Sequence, residues 1–151
     1  MAGILDRTAR RILGVLDREP RATTQYIAHE LNLARGTVLS HLRRLIDAAE
    51  LPPISTRIPG AWIGRPLRVF VLAEVDQSQF DGLVDELKQI PEIVECLAVS
   101  GASDLQLKLA ASDSDDVYRI TQQIMSCRGI RRTASTFILR ELIPRRMRQL
   151  L

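Results

Sequence analysis

Thr24–Leu45 reads TQYIAHELNLARGTVLSHLRRL. The apolar spacing predicts two short helices joined by a tight turn. Ile27, Ala28 and Leu31 recur at helical spacing and give the first helix one apolar face; Val38, Leu42 and Leu45 do the same for the second. Asn32 stands between them, where a sharp turn calls for a positive φ that Asn tolerates better than most residues. Ala28 is small where the helices would cross, and Leu33 follows the turn, placed to plug the angle between them. This is the pattern of a helix-turn-helix, whose second helix enters the major groove of DNA.

Taken at about 100° per residue, the second helix has distinct faces. Val38, Leu42 and Leu45 point inward. Gly36, Ser40, Arg43, Arg44 and Asp47 point outward, flanked by Arg35, Thr37 and His41. Arg35, Gly36, Thr37, Ser40, His41, Arg43 and Arg44 are therefore the candidate DNA-binding residues. They offer donors for phosphates and base edges, and Gly36 lets backbone come close. The competing reading is an ordinary helical hairpin with a solvated basic face.

The chain before this stretch predicts one more helix. Asp6 is its expected N-cap, after Ile4-Leu5, and Ala9, Ile12, Leu13 and Leu16 form its inward stripe. Pro20 ends it near Glu19, and Thr23 is placed to cap the next. The three helices, closing near Glu50, make an N-terminal domain over residues 1–51. Leu51-Pro52-Pro53 breaks the helix. Ile54–Pro66, ISTRIPGAWIGRP, is expected to form a short strand or wing and then a hinge, so 52–66 is the linker. Trp62 within it packs against a neighbour or stays partly exposed.

From Leu67 the period changes to two. Leu67, Val69, Val71, Ala73 and Val75 share one strand face, with Phe70 and Leu72 on the other. A strand apolar on both faces must be covered twice. Gln79–Ile90 predicts a helix with Phe80, Leu83, Val84 and Leu87 inward. Ile93–Ser100 and Leu105–Ala111 predict strands around a turn, the latter with Leu105, Leu107 and Leu109 on one face. A helix begins at Asp113-Ser114, with Val117, Ile120, Ile124 and Met125 toward the core, and Ile130–Leu142 predicts the last strand. The order β-α-β-β-α-β over 67–142 is the ferredoxin-like arrangement. Its helices cover one sheet face, so the apolar second face of the first strand calls for a second subunit. Residues 143–151 form a basic C-terminal tail.

Composition sets the bounds. The hydrophobic fraction of 46% supports a packed core and argues against disorder. No apolar run reaches the roughly 18 residues of a membrane helix. MAGILDRTARR lacks the apolar run of a secretory leader, so the expected location is the cytoplasm. Cys96 and Cys127 form no CxxC and are expected to be small buried thiols. The histidines, His29 and His41, lie in the other half of the chain, so no metal site is expected. Net charge is +3 but uneven: residues 1–51 carry +2, 52–68 carry +3, 69–141 carry −5 and 142–151 carry +3. A basic module joined to an acidic body suits a DNA-binding unit attached to a domain with another task.

With both halves placed, the chain resembles the Lrp/AsnC (leucine-responsive and asparagine-responsive) family of transcription regulators. Leu5-Asp6 with Arg11-Ile12-Leu13 is similar to the family's opening LD…ILxxL, and Arg21-Ala22 to its RA. Val38 with Arg44-Leu45 is similar to its recognition helix, and Ile63-Gly64 to the segment after the wing. Pro91-Glu92-Ile93, Ser100-Gly101-Ala102-Ser103-Asp104 (TGxxD in the family) and Gly129-Ile130-Arg131-Arg132-Thr133 continue the match. The resemblance implies an α+β chain: an N-terminal winged helix-turn-helix domain and a C-terminal ferredoxin-like βαββαβ domain. That second domain is implied to form a homodimer and higher even homo-oligomers, and to bind a small-molecule effector, often an amino acid. The expected partner is double-stranded DNA, with a nucleoid-associated location, no cofactor and no membrane.

The turn Ser100, Gly101, Ala102, Ser103 and Asp104 is the candidate effector site. Gly101 allows a tight turn that frees backbone N–H groups for a carboxylate, and Asp104 could pair with an ammonium. The alternative is plain turn chemistry. The chain departs from the family at Ala34, where Ser usually caps the recognition helix, at His41 for Arg, at Ile46 for Glu and at Ala49 for Gly. These departures leave room for a family member that acts as an effector-binding assembly partner without DNA binding. A siroheme-decarboxylase-like enzyme is the remaining alternative. Against it, the C-terminal half has no histidine, no Ser/His/Asp or Cys/His set and no Gly-rich phosphate loop, so no catalytic residue is expected. Asp113, Asp115 and Asp116 read as a helix start.

Overall fold

Asp6 starts the first helix. Its Oδ1 accepts a hydrogen bond from the Ala9 N–H at 2.8 Å, and α1 runs Arg7–Arg18. The computed structural model describes residues 5–47 and 51–150, with Asp47 described by its backbone alone. The expectations placed on Ile4, Ala49 and Glu50, and the outward direction expected of Asp47, lie outside the described residues. Ala9, Ile12 and Val15 are the buried face of α1, while Leu13 and Leu16 are half-buried. The inward stripe is therefore rotated toward Val15, which the spacing of leucines had hidden.

Thr23 caps α2 (Thr24–Leu31) by accepting from the Tyr26 N–H at 3.1 Å. Asn32 turns the chain at φ 52°, and the Leu33 N–H donates back to the Ala28 carbonyl at 2.9 Å. Helix α3 spans Arg35–Asp47. The Val38 N–H donates to the Ala34 carbonyl, but Ala34 has no side-chain oxygen to satisfy the other free N–H groups of that first turn. Ile12, Val15, Ile27, Ala28 and Val38 form the buried centre, with Leu31, Leu33 and Leu42 packed around it. Each buried branched side chain contributes about 1.5–3 kcal/mol, so packing rather than capping holds α3 in place.

The strand expected over Ile54–Pro66 does not form; two short 3-10 turns, Ile54–Arg57 and Gly60–Ile63, take its place. Pro59 and Pro66 have no N–H for a ladder, and Gly64 turns the backbone at φ 74°. The Arg65 N–H closes on the Gly60 carbonyl at 2.8 Å, and a Cβ at position 60 would lie 2.3 Å from the Arg65 carbonyl oxygen. Only glycine fits there. Trp62 is 81% exposed. The Arg65 guanidinium lies 3.1 Å from Asp116 Oδ2 and 3.4 Å from Glu92 Oε1, which also accepts from Arg119 at 2.6 Å. Burial, the largest single influence, pushes the Glu92 carboxyl up, but the Arg119 hydrogen bond, a backbone hydrogen bond and the charges of Arg119 and Arg65 together outweigh it and leave the group below its ordinary value.

Four antiparallel strands follow: β1 Leu67–Val75, β2 Ile93–Ala98, β3 Leu105–Ala111 and β4 Ile130–Phe137. Their spatial order is β2-β3-β1-β4. Val71 lies opposite Leu107 on one side and Ser135 on the other. Val69, Val71, Ala73, Leu105, Leu107 and Leu109 form one apolar layer, covered by Leu83 and Leu87 of α4 (Leu83–Lys88) and by Val117, Ile120 and Ile124 of α5 (Ser114–Ser126). Phe70 and Leu72 face the other way, and Leu72 is 38% exposed.

Several details differ from expectation. The helix expected over Gln79–Ile90 is a 3-10 turn at Gln77–Gln79 followed by the short α4, because Gly82 at φ 88° interrupts the helical path. Val84 is exposed in consequence, and Met125 on α5 is exposed as well. Strand β2 ends at Ala98 rather than Ser100, and β4 at Phe137 rather than Leu142. Cys96 is exposed, because β2 is an edge strand whose residues beyond Ile93 lie open, whereas Cys127 is buried as expected. By Cα proximity the chain divides into two compact units. One comprises Met1–Thr56 with Ile143–Leu151, and the other Arg57–Leu142.

Candidate nucleic-acid interface and effector site

Helix α3 presents an open face. Arg35, Gly36, Thr37, Ser40 and Arg43 are all exposed. None of their side chains has a hydrogen-bond or ion-pair partner among the described residues, and the inward side chains Val38 and Leu45 fix which way the face points. Guanidiniums and hydroxyls left free in this way are the donor set that phosphate oxygens and base edges accept from.

Arg44 and His41 are in a different position. Arg44 Nη2 donates to Asp6 Oδ2 at 3.0 Å, and His41 Nδ1 lies 3.3 Å from the same Nη2 and 3.7 Å from that oxygen. The His41 side chain is only 16% exposed. Asp6 thus caps α1 with one oxygen and holds α3 with the other. The Ala9 N–H, and then the Arg44 guanidinium, keep its carboxyl below the ordinary aspartate range. Sequence spacing placed Arg44 on the outward face without this tether. Arg21 is exposed two residues before the α2 cap Thr23 and lines a hollow of about 460 Å³ with Glu19, Ala22, Thr23 and Tyr26. A basic side chain beside a helix N-terminus favours an anion.

The turn Ser100–Asp104 connects the edge strand β2 to the inner strand β3. Gly101 takes φ 126°. The Asp104 carboxylate is already engaged: Oδ2 accepts the Val75 N–H at 2.7 Å and Oδ1 accepts Gln77 Nε2 at 3.1 Å. Its backbone N–H donates to the Ala73 carbonyl and its carbonyl accepts from Val99. Asp104 closes the end of the sheet, a role beside the one expected of it in pairing with an ammonium.

Beside this turn is a hollow of about 190 Å³, lined by Leu72, Glu74, Ala102, Ser103, Arg132, Thr133 and Ala134. It opens on the face that carries Leu72, the one turned away from the helices. Glu74 and Arg132 are cross-strand partners with a long 3.9 Å ion pair, their side chains 46% and 76% exposed. Of the sequence candidates, Ala102 and Ser103 line this hollow, and Ser100, Gly101 and Asp104 do not. Glu74 and Arg132 are its charged groups. The sequence carried a signal for them, since opposite charges directly across antiparallel strands recur at paired positions, but their pairing needed the register. Among the described residues no group of His, Cys, Asp and Glu is arranged to hold a metal ion.

Two family models match the chain. The Lrp/AsnC ligand binding domain covers residues 68–148, and the winged helix-turn-helix DNA-binding domain covers residues 5–48. The HTH-type transcriptional regulator Rv2324 of Mycobacterium tuberculosis is 29% identical over 147 residues, spanning 93% of this chain and 96% of that one. The leucine response regulatory protein LrpA of the same organism superposes with a TM-score of 0.79 at 27% identity, covering 95% of this chain and 98% of that one. The transcriptional regulator NMB0573 of Neisseria meningitidis, solved as a complex with L-Met, shares the fold with a TM-score of 0.79 at 22% identity over 92% of each chain.

Proposed function

The chain belongs to the Lrp/AsnC family of transcription regulators, and we propose that it is a regulator reading DNA through the open face of α3 and sensing a free amino acid in the hollow beside Ser103. Its DNA-binding domain and effector domain make it a DNA-binding regulator that responds to a small molecule. The observation that carries the DNA half is the set Arg35, Gly36, Thr37, Ser40 and Arg43, exposed and unpartnered around a buried Val38. Arg35 and Arg43 contact phosphate; Thr37 and Ser40 meet base edges, with His41 bordering them. Arg44 joins the contacts only to the extent that phosphate draws it from Asp6.

The effector half rests on the hollow. At about 190 Å³ it lies below the roughly 300–1,000 Å³ of pockets for drug-sized ligands, so its occupant is small. Glu74 supplies a carboxylate for an ammonium, Arg132 a guanidinium for a carboxylate, and Leu72 an apolar wall. That combination suits a zwitterion. The solved relative holding L-Met belongs to the same chemical class of complex. The hollow opens on the apolar sheet face, so a second copy packed there would close it, and occupancy would be linked to assembly. In this reading the protein acts as a homo-oligomer at the nucleoid and carries no catalysis; both histidines lie in the helix-turn-helix domain. Among the described residues no helix is long and apolar enough to cross a membrane.

A mobility-shift assay with the chain's own promoter region tests the DNA half, with Ser40→Ala expected to change sequence preference. No shift by the wild-type chain would favour an assembly partner without DNA binding, a reading that the uncapped α3 and the tethered Arg44 support. Calorimetric titration of the twenty amino acids tests the effector half. Arg132→Ala is expected to abolish the heat that the wild type gives.

A further inference from the structure

The compact unit that contains the helix-turn-helix also contains Ile143–Leu151. Through Thr56 that unit holds eight basic and six acidic side chains, net +2, a weak field for a DNA-binding module. Arg145, Arg146 and Arg148 bring it to +5 with no added acid. All three are exposed, and none has a carboxylate partner among the described residues. Arg18, Arg44, Arg65, Arg68, Arg119, Arg131 and Arg132 each face a carboxylate, whereas these three, like Arg35 and Arg43 of α3, face none among the described residues. The root of the segment is fixed where Glu141 pairs with Arg68 at 3.1 Å. A short turn over Arg148–Leu150 shapes its far part, with the Leu150 N–H on the Met147 carbonyl at 2.9 Å.

We infer that Ile143–Leu151 is a second DNA-contacting segment, in which Arg145, Arg146 and Arg148 bind backbone phosphates while α3 reads bases. The inference rests on the DNA-binding reading of α3. Guanidiniums match phosphate geometry with paired donors, and these three supply three of the five net positive charges of this unit. Ile143, Met147 and Leu150 are exposed on the same segment, which makes a protein surface the competing occupant. The arginines favour DNA, because a protein partner would have to supply three carboxylates as well as an apolar patch.

The test is binding of the full chain to a random-sequence duplex, followed by fluorescence anisotropy across a salt series. Wild type is compared with the triple variant Arg145→Ala, Arg146→Ala, Arg148→Ala and with the triple Lys variant at the same positions. Each phosphate contact adds about 0.9 to the salt slope. The Ala variant should therefore lose about 1.8 to 2.7 from the slope, for two or three contacts, so that wild type loses about 12- to 40-fold more affinity than the variant between 50 and 200 mM salt. The Lys variant should keep most of the slope, because it keeps the charge. An unchanged slope in the Ala variant overturns the inference while leaving α3 as the reader. A reduced slope accompanied by a smaller assembly in light scattering also overturns it, since the segment would then act through a protein contact. Wild type that fails to bind the duplex at low salt overturns the DNA reading itself, and this inference with it.

Discussion

Arg44 of α3 donates to Asp6 Oδ2 at 3.0 Å, so the residue that caps α1 also holds an exposed α3 guanidinium. If α3 reads DNA as proposed, phosphate and Asp6 compete for the same cation. Asp6→Asn retains a good N-cap and removes the competing charge, so it should tighten binding to all duplexes alike, by about three- to tenfold at low salt. The gain should vanish in an Arg44→Ala background. Anisotropy titrations of the two single variants and the double variant check this. A gain that persists without Arg44 would assign the effect to the general field around Asp6.

How far the sequence could be read depended on how far away each partner lay. Asp6, Thr23 and Asn32 act on backbone within three residues, and their identities alone foretold the cap, the second cap and the left-handed turn. The alternation in Leu67–Val75 foretold a strand with two apolar faces. The tethers of Arg44 and Asp104 were not legible because their partners lie 38 and 29 residues away. Outward spacing says that a side chain can reach solvent; it does not say which distant group will reach it first. The hollow was invisible for the same reason, since Glu74 meets Arg132 only once β1 and β4 are in register. Gly82 misled in a third way: a helical period continued across it, but a left-handed glycine shortened the helix.

Asp76 predicts a pH response. Arg131 first, then Ser78, hold its carboxyl down at about 2, below its ordinary 3.8. A lowered folded-state value means that the ionised group stabilises the fold above about pH 4 and loses that effect as pH falls toward 2. Unfolding curves of wild type and Asp76→Asn should differ most at pH 5 and converge between pH 4 and 2. A gap that stays constant across that range would show that the Asp76–Arg131 contact, 2.7 Å long, contributes nothing through its charge.

Val71 and Leu72 are neighbours on β1 with opposite surroundings. Val71 is fully buried under the helices, and Leu72 is 38% exposed on the other face. An Asp at 71 buries an unpaired charge, at a cost of several kcal/mol, and should unfold the ferredoxin-like unit. An Asp at 72 should leave circular dichroism unchanged and reduce the assembly, because the outer face is where a second copy would pack. Light scattering at micromolar concentration reads the second effect. A wild-type chain that is monomeric there would remove the assembly reading.

Asp104 separates a fold role from a ligand role. Its two oxygens hold the Val75 N–H and the Gln77 amide, and its own N–H and carbonyl hold Ala73 and Val99. Asp104→Asn keeps one acceptor oxygen and should preserve the closed end of the sheet; Asp104→Ala leaves the Val75 N–H without its partner, at a cost of about 1–3 kcal/mol. Neither change touches the groups assigned to the effector. Amino-acid binding measured below the melting temperature of each variant should therefore stay within about threefold of wild type for Asp104→Asn, a difference of less than about 1 kcal/mol. Glu74→Gln should weaken the same binding by far more, through loss of the carboxylate facing the ammonium. If the order is reversed, with Asp104→Asn abolishing binding and Glu74→Gln sparing it, the ammonium lies at the sheet end and the hollow is not the site. Because the effector and DNA act on one chain, the effector that passes this test should bind with a different affinity when DNA is present, by the same factor as it alters DNA binding.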